Sequence, residues 1–441
     1  MPSPQEPGTA PNGPARAGTL WQALGPGLVF AAAAVGVSHL VQSTRAGAVF
    51  GLAMLGVVLA ANLIKYPAFR MGPQYASATG QSLLHGYARI GRWAVVLYML
   101  LTLATMFTVA AAVTVVTAGL AIAITGVDLS APLVSALLLA VSGVILGLGQ
   151  YRALDRLAKV LVALLTLATL VASALALSKV VGGPAAATLS PFSIDWTDTA
   201  TIAFAVSLFG WMPSAIDVSV WQSLWALERN RDQGGAVQWR SASKDFHIGY
   251  IGTTVLAVCF LVMGAGVMFG SGTTFSDSAG GFARQVLDLY GSVLGGWTTT
   301  IVGIAAFSVM FSTTLTVADG FPRGLTAAIE RLRNPEACDD NQRSSGRTTI
   351  YLGLVATQAL GAALLLAVAM SSLRQLIDVA TTLSFLTAPA LSALNHVAMS
   401  RVSADSPAAM SPGLRTASLT GLALQTVFAL GYIVFRISTA G

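Results

Sequence analysis

The chain has 441 residues, 55% of them apolar and only 10% charged, with 24 Lys plus Arg against 18 Asp plus Glu and a net charge of +6. A soluble domain carries about 25% charged residues, so this composition and a mean hydropathy of +0.73 exclude an ordinary aqueous globule and make lipid the solvent for most of the chain. The basic surplus then belongs to loops at a membrane surface, and a nucleic-acid partner is excluded.

Residues 1–22, made of Pro, Gly and polar side chains, are expected to form a disordered cytoplasmic tail. A signal peptide cleaved near Ala31 to Ala34 is disfavoured by Gly25, Pro26 and Gly27 inside the apolar region. Eleven apolar runs follow, each long enough to cross roughly 30 Å of hydrocarbon. They lie near 24–45, 48–66, 93–122, 131–149, 153–181, 199–227, 248–270, 295–318, 350–370, 376–397 and 416–435, with the first turn expected around Ala46 and Gly47.

With the N-terminus inside, alternate loops collect Arg16; Lys65, Arg70, Arg89 and Arg92; Arg152, Arg156 and Lys159; and the basic residues after the sixth, eighth and tenth spans. That leaves only Arg45, Lys179, Arg284, Arg374 and Arg436 outside, so a cell (inner) membrane protein with a cytoplasmic N-terminus is expected. Gly143 and Gly147 in the fourth span read as small residues at a helix contact. Cys259, in an apolar run, and Cys338, in a polar loop, have neither disulfide nor metal-site spacing.

Two spans carry helix-hostile residues in their middles: Val35-Gly36-Val37-Ser38-His39 in the first and Gly210-Trp211-Met212-Pro213-Ser214 in the sixth. An offset of five spans inverts the second unit, and interrupted helices at corresponding positions of inverted halves point to a transporter's central site. Spans 1 to 5 (23–181) and 6 to 10 (199–398) are the expected repeats, with 416–435 an additional span. Unwound backbone persists in a membrane only where protein or a hydrated substrate satisfies it. Kinks without a ligand are the alternative.

Several segments resemble the NRAMP family of proton-coupled divalent metal transporters. They are Gly25-Pro26-Gly27-Leu28, Arg45-Ala46-Gly47-Ala48-Val49-Phe50-Gly51, Ala61-Asn62-Leu63 and Met212-Pro213. The resemblance runs from about residue 24 to 400. It implies the leucine-transporter-type five-plus-five fold, all-α, and import of ions such as manganese or iron. The departures mark a divergent branch. The family's first-span Asp-Pro-Gly-Asn falls on Gly36, Val37, Ser38 and His39, so its metal-binding carboxylate is missing. The sixth-span Met ligand is kept as Met212, the His two residues later has become Ser214, and residues 93–122 hold no counterpart of the third-span acids.

Ionisable groups inside spans mark functional sites by default. His39 reads either as a ligand for a borderline metal or as an imidazole bonded to unwound carbonyls. Asp217 reads as the negative field for a cation in the inward vestibule or as the partner of an Arg. Met212 adds a soft thioether, or packs beside Pro213. With carbonyls near Val35, Gly36 and Phe209, these residues form the expected substrate site, His39 and Met212 facing one another as the metal ligands. Ser312 and Thr313, in the hydroxyl run of the eighth span, could hold a coupling ion with first-break carbonyls, although such hydroxyls usually bond the preceding turn. Arg45 is expected to snorkel to the interface, with a gate role as the alternative. Asn395 and His396 are expected at the interface.

No nucleotide, catalytic or zinc motif occurs, so no enzyme activity, no cofactor and no obligate protein partner are expected. The expected partners are a small ion or small-molecule substrate and the bilayer. The function expected is secondary transport of a divalent transition metal by alternating access. The alternatives are an organic solute or other ion on the same fold, and a receptor-like protein that transports nothing.

Overall fold

The structure, a computed structural model, describes residues 34–148, 151–190, 193–233, 238–272, 274–335, 345–368 and 372–440. The 1–22 tail, the Gly25-Pro26-Gly27 segment and Cys338 lie outside them. Among the described residues the chain forms fourteen α-helices and no strand. A π-helix, Ser38–Ser43, continues into α1 (Thr44–Phe50), followed by α2 (Leu55–Thr79), α3 (Leu83–Ile90), α4 (Arg92–Thr125), α5 (Ala131–Gly147) and α6 (Tyr151–Val181). The sixth span is split into α7 (Thr199–Trp211) and α8 (Asp217–Gln233). Then come α9 (Trp239–Val267), α10 (Ala279–Leu294), α11 (Thr298–Arg333), α12 (Ser345–Val368), α13 (Leu373–Ser400) and α14 (Pro412–Ala440).

Seven helices are long and apolar enough to cross a membrane by length and composition: α4, the 162–181 part of α6, α9, α11, α12, α13 and α14. The other expected spans fall short for local reasons. α5 and α7 are apolar but shorter, the sixth span is interrupted, and α2 is diluted by Asn62, Lys65, Arg70 and Gln74.

The packing repeats itself when each span is exchanged for the one five further on. α1 packs on α9 as α8 packs on α2; α6 packs on α9 as α13 packs on α2; α6 packs on α11 as α13 packs on α4. α4 and α11 pack on one another, as a twofold exchange demands. The α1–α9 crossing is close enough to need glycine on both sides. A Cβ at Gly47 would lie 1.9 Å from the Leu261 carbonyl oxygen, and one at Gly264 would lie 2.3 Å from that of Thr44. Gly143 and Gly147 face α12 with room for a methyl, at 3.9 and 3.8 Å from Val355 and Leu352.

Three local expectations are corrected. The first turn lies not at Ala46 and Gly47, which are helical, but at Gly51, whose φ of +61° ends α1. Residues 65–92 are no loop: α2 runs on to Thr79 and α3 follows, because buried positions Val58, Ala61, Lys65, Ala68, Gly72 and Ala76 recur at helical spacing through the polar stretch. Asn395 and His396 are buried in α13 rather than interfacial. Asn395 donates to the Ala68 carbonyl at 3.1 Å and to Ser219 Oγ at 2.8 Å, tying α13 to α2 and α8.

Candidate functional site

The two breaks meet inside the bundle. Residues 34–37 lead into the π-helix, and 212–216 separate α7 from α8, with the Met212–Pro213 peptide cis. Ser38 Oγ lies 3.4 Å from the Pro213 carbonyl oxygen, so the adjoining residues of the two breaks touch.

His39 is fully buried and turns towards α9. Its Nε2 lies 2.9 Å from the Thr253 carbonyl oxygen, to which it can only donate, which leaves Nδ1 as the acceptor for the Ser38 hydroxyl 2.8 Å away in the neutral ring. Gly36 gives its carbonyl to the amides of His39 and Leu40 at 3.1 and 2.9 Å, restarting the helix after the break. Val35 gives its carbonyl to Thr313 Oγ1 at 3.2 Å, and this hydroxyl also lies 3.0 Å from the Val309 carbonyl oxygen of its own helix. The structure thus brings Thr313 of α11 against the first break. Ser312 is buried beside it, and Thr314 and Thr316 bond the preceding turn at 3.0 and 2.8 Å.

Met212 is buried in a cluster with Ala46, Met54, Val58, Leu208 and Phe385. Its sulfur accepts from Ser43 Oγ at 3.9 Å. Phe209 packs edge-on against Phe385 and Phe428, at 5.7 and 6.0 Å between centroids. Asp217 opens α8, 1% exposed, where the helix N-terminus favours negative charge. Its carboxylate is buried near the Tyr98 hydroxyl, whose side-chain partners are Thr102 and Trp221.

The residue absent from the expected site is Lys65. It is fully buried in the middle of α2, and its Nζ donates to the carbonyls of Phe209 at 2.7 Å, Gly210 at 2.7 Å and Ser214 at 3.2 Å. The same Nζ lies 5.4 Å from the centre of the Phe209 ring. The oxygen of Phe209 expected to meet a substrate cation therefore meets the chain's own ammonium. One signal for it was present in the sequence: apolar Ala68, Phe69, Met71 and Gly72 follow Lys65, so the lysine interrupts an apolar run instead of ending it.

Ionic clusters flank the breaks. Arg45 does not snorkel: its Nη1 bonds Gln42 Oε1 at 2.8 Å and Asp378 Oδ1 at 2.9 Å, and its guanidinium lies 5.1 Å from the Phe204 ring centre. Gln42 in turn donates to Ser207 Oγ at 2.6 Å, so α1, α7 and α13 are joined. Elsewhere Arg323 bonds both oxygens of Asp319, at 2.8 and 2.9 Å, and pairs with Glu228. Tyr351 and Trp225 also donate to Asp319, at 2.6 and 2.9 Å, joining α8, α11 and α12. Among the described residues no three His, Cys, Asp or Glu side chains converge, and Cys259 is a buried free thiol.

Comparison with known proteins agrees with this architecture. The manganese transporter of Eremococcus coleocola superposes with a TM-score of 0.67 at 15% identity, covering 96% of this chain and 89% of that one. MhsT, in a structure with L-phenylalanine, superposes with a TM-score of 0.58 at 18% identity, covering 92% and 98%. The nucleobase-cation-symport-1 family transporter MHP1 superposes with a TM-score of 0.55 at 12% identity, covering 94% and 93%. At these identities the likeness shows the fold, the all-α five-plus-five arrangement. An uncharacterized protein of Pasteurella multocida (strain Pm70) is 37% identical over 311 residues, 70% of each chain. The family model for Nramp, natural resistance-associated macrophage protein-like, matches residues 27–434. The chain belongs to the Nramp family of metal-ion transporters, as a multi-pass membrane protein.

Proposed function

We propose that this protein is a secondary transporter that carries a metal cation, a divalent transition metal such as manganese or iron, across a cell (inner) membrane by alternating access, with its N-terminus in the cytoplasm. The observation that carries cation binding is the second break, where the carbonyls of Phe209, Gly210 and Ser214 turn together onto one cationic group. Backbone oxygens converging on a point replace an ion's hydration shell. The divalent ion itself is assigned to the space between the two breaks, where Val35, Gly36, His39 and Met212 supply oxygen, nitrogen and sulfur donors and Asp217 supplies the negative charge that the three carbonyls lack. Ser312 and Thr313 are the proposed coupling-ion residues, because Thr313 already meets the Val35 carbonyl. The clusters around Arg45 and Arg323 would part alternately as spans 1, 2, 6 and 7 rock against spans 3, 4, 8 and 9.

A second reading is favoured by Lys65. An ammonium without a carboxylate partner among the described residues attracts an anionic group, which suits an organic solute carrying a carboxylate.

Uptake by purified protein in liposomes tests both, with manganese, iron, cadmium, magnesium and a panel of amino acids offered under separate proton and sodium gradients. Saturable, gradient-driven manganese or iron uptake, weakened by Met212→Ala more for manganese than for magnesium, supports the metal reading. Uptake of an amino acid with no metal uptake replaces it with the second, and no flux of any solute removes both.

A further inference from the structure

A lysine in the middle of a membrane-embedded helix is expensive unless its charge is met. Lys65 is met by no carboxylate among the described residues. The groups that meet it are three backbone oxygens, all from the 209–214 stretch of the partner unit, at 2.7, 2.7 and 3.2 Å. An ammonium has three N–H donors and no acceptor, so the three oxygens match the charged side chain donor for donor. A neutral amine would leave one of them facing a lone pair. The Phe209 ring, 5.4 Å away, adds a face that also favours positive charge. Three neutral oxygens around one point, with no carboxylate in contact, form a site for a small monovalent cation, since a dication needs negative ligands to offset its dehydration.

We propose that Lys65 is a tethered cation: its ammonium fills a backbone-carbonyl site at the second break that is built for a small monovalent cation, and a free cation enters only where the side chain is withdrawn. This deepens the reading of the second break as a cation cradle, on which it rests, by assigning that cradle a gatekeeper.

The test reads thermal unfolding of the full-length protein, purified with N-methylglucamine as the only cation and then given sodium, potassium or ammonium at matched ionic strength. The wild type is expected to unfold at the same temperature in every salt. Lys65→Ala is expected to unfold at least about 5 °C lower and to regain half or more of that loss, saturably, in potassium or ammonium. Lys65→Gln keeps N–H donors without the charge and carries the same test if the Ala variant does not accumulate. A salt-specific recovery of the Gln variant supports the proposal. Either variant unfolding like the wild type in all salts, or with a deficit that no small cation relieves, overturns it. Melting needs no flux, so a wild type that moves no solute would remove the transport reading while leaving this result to stand on its own.

Discussion

The two unwound stretches are held by opposite arrangements although the helices around them correspond. At the first break a side chain of the break bonds the neighbouring helix's backbone: His39 donates to the Thr253 carbonyl of α9. At the second break a side chain of the neighbouring helix bonds the break's backbone: Lys65 of α2 donates to Phe209, Gly210 and Ser214. α2 and α9 are counterparts under the five-span exchange, so the packing is symmetric while the charge is not. Unpaired backbone has to be satisfied in either case. The hydroxyls of Ser38 and Thr313 achieve this at one break without net charge, donating to the Ala34 and Val35 carbonyls at 2.8 and 3.2 Å, whereas the other carries a fixed ammonium.

Substituting each holding residue measures that asymmetry most directly. Lys65→Met leaves the buried carbonyls of Gly210 and Ser214 without the ammonium, each worth about 1–3 kcal/mol, while that of Phe209 keeps the Met212 amide at 3.3 Å; His39→Gln can keep a donor to Thr253 and is expected to cost about 1 kcal/mol. Thermal unfolding of the two variants side by side should show Lys65→Met several-fold more destabilised. Equal losses would mean that the two breaks are held alike and that the charge at the second has no special place in stability.

The glycines of the two breaks give the next contrast. A Cβ at Gly210 would lie 2.0 Å from the Thr381 carbonyl oxygen, a backbone atom of α13 that cannot yield without moving the helix. A Cβ at Gly36 would meet Thr313 Cγ2 at 3.0 Å, a methyl that a small rotation displaces. Gly210→Ala is expected to cost about 1–3 kcal/mol or more by overpacking, seen as a loss of monodisperse protein on size exclusion, and Gly36→Ala less than about 1 kcal/mol. Adding Thr313→Ser should restore much of the Gly36→Ala loss. A tolerated Gly210→Ala would show that α7 moves freely over α13.

How much of this was open to reading from the chain depends on which residues announce themselves. Both breaks were legible, because Gly36 and Pro213 interrupt apolar runs that need helix to cross lipid, and their five-span offset carries the inverted architecture with it. Asp217 and Thr313 were legible as polar groups inside spans. Lys65 was legible only in the apolar residues that follow it, since a basic residue near the end of an apolar run also describes a loop, and the continued burial of Ala68, Gly72 and Ala76 one and more turns later distinguishes the two. The turn of His39 towards α9, and the pairing of Arg45 with Asp378, 333 residues apart in sequence, depend on tertiary approach that no local pattern encodes.

The ionic clusters differ in burial, and so should their cost. The Asp319 carboxylate is 10% exposed and takes bonds from Arg323, Tyr351 and Trp225, whereas the Asp378 carboxylate is 36% exposed. Asp319→Asn should cost about 2–3 kcal/mol, as expected for loss of a charged hydrogen-bond network. Asp378→Asn, discounted for solvent screening, should cost less than about 1 kcal/mol. The lighter clasp should be the one that opens more often, so a cysteine at Gln42 in the Asp378→Asn variant is expected to react with a membrane-impermeant thiol reagent several-fold faster than in the parent. Unchanged labelling would mean that the pairing of Arg45 with Asp378 holds nothing shut.

The smallest effect concerns the anchoring of α7, the rigid half-helix that delivers the second break. Asp198 caps it, accepting from the Thr201 amide at 2.9 Å, the Thr201 hydroxyl at 2.7 Å and the Ala200 amide at 3.3 Å. The Thr201 side chain first, then these backbone amides, hold the carboxyl below its usual range. A carboxyl with a lowered native-state pKa contributes stability that is present above its unfolded-state value, near pH 4, and is lost as pH falls through the lower native-state value. Asp198→Asn retains a capping oxygen but no charge, so it should abolish that acid-side dependence while changing stability at neutral pH only slightly. If the two variants Asp198→Asn and Asp198→Ala leave the acid limb of the unfolding curve unchanged, α7 is anchored by its packing on α13 and α2 without help from the cap, and the difference between the breaks reduces to Lys65.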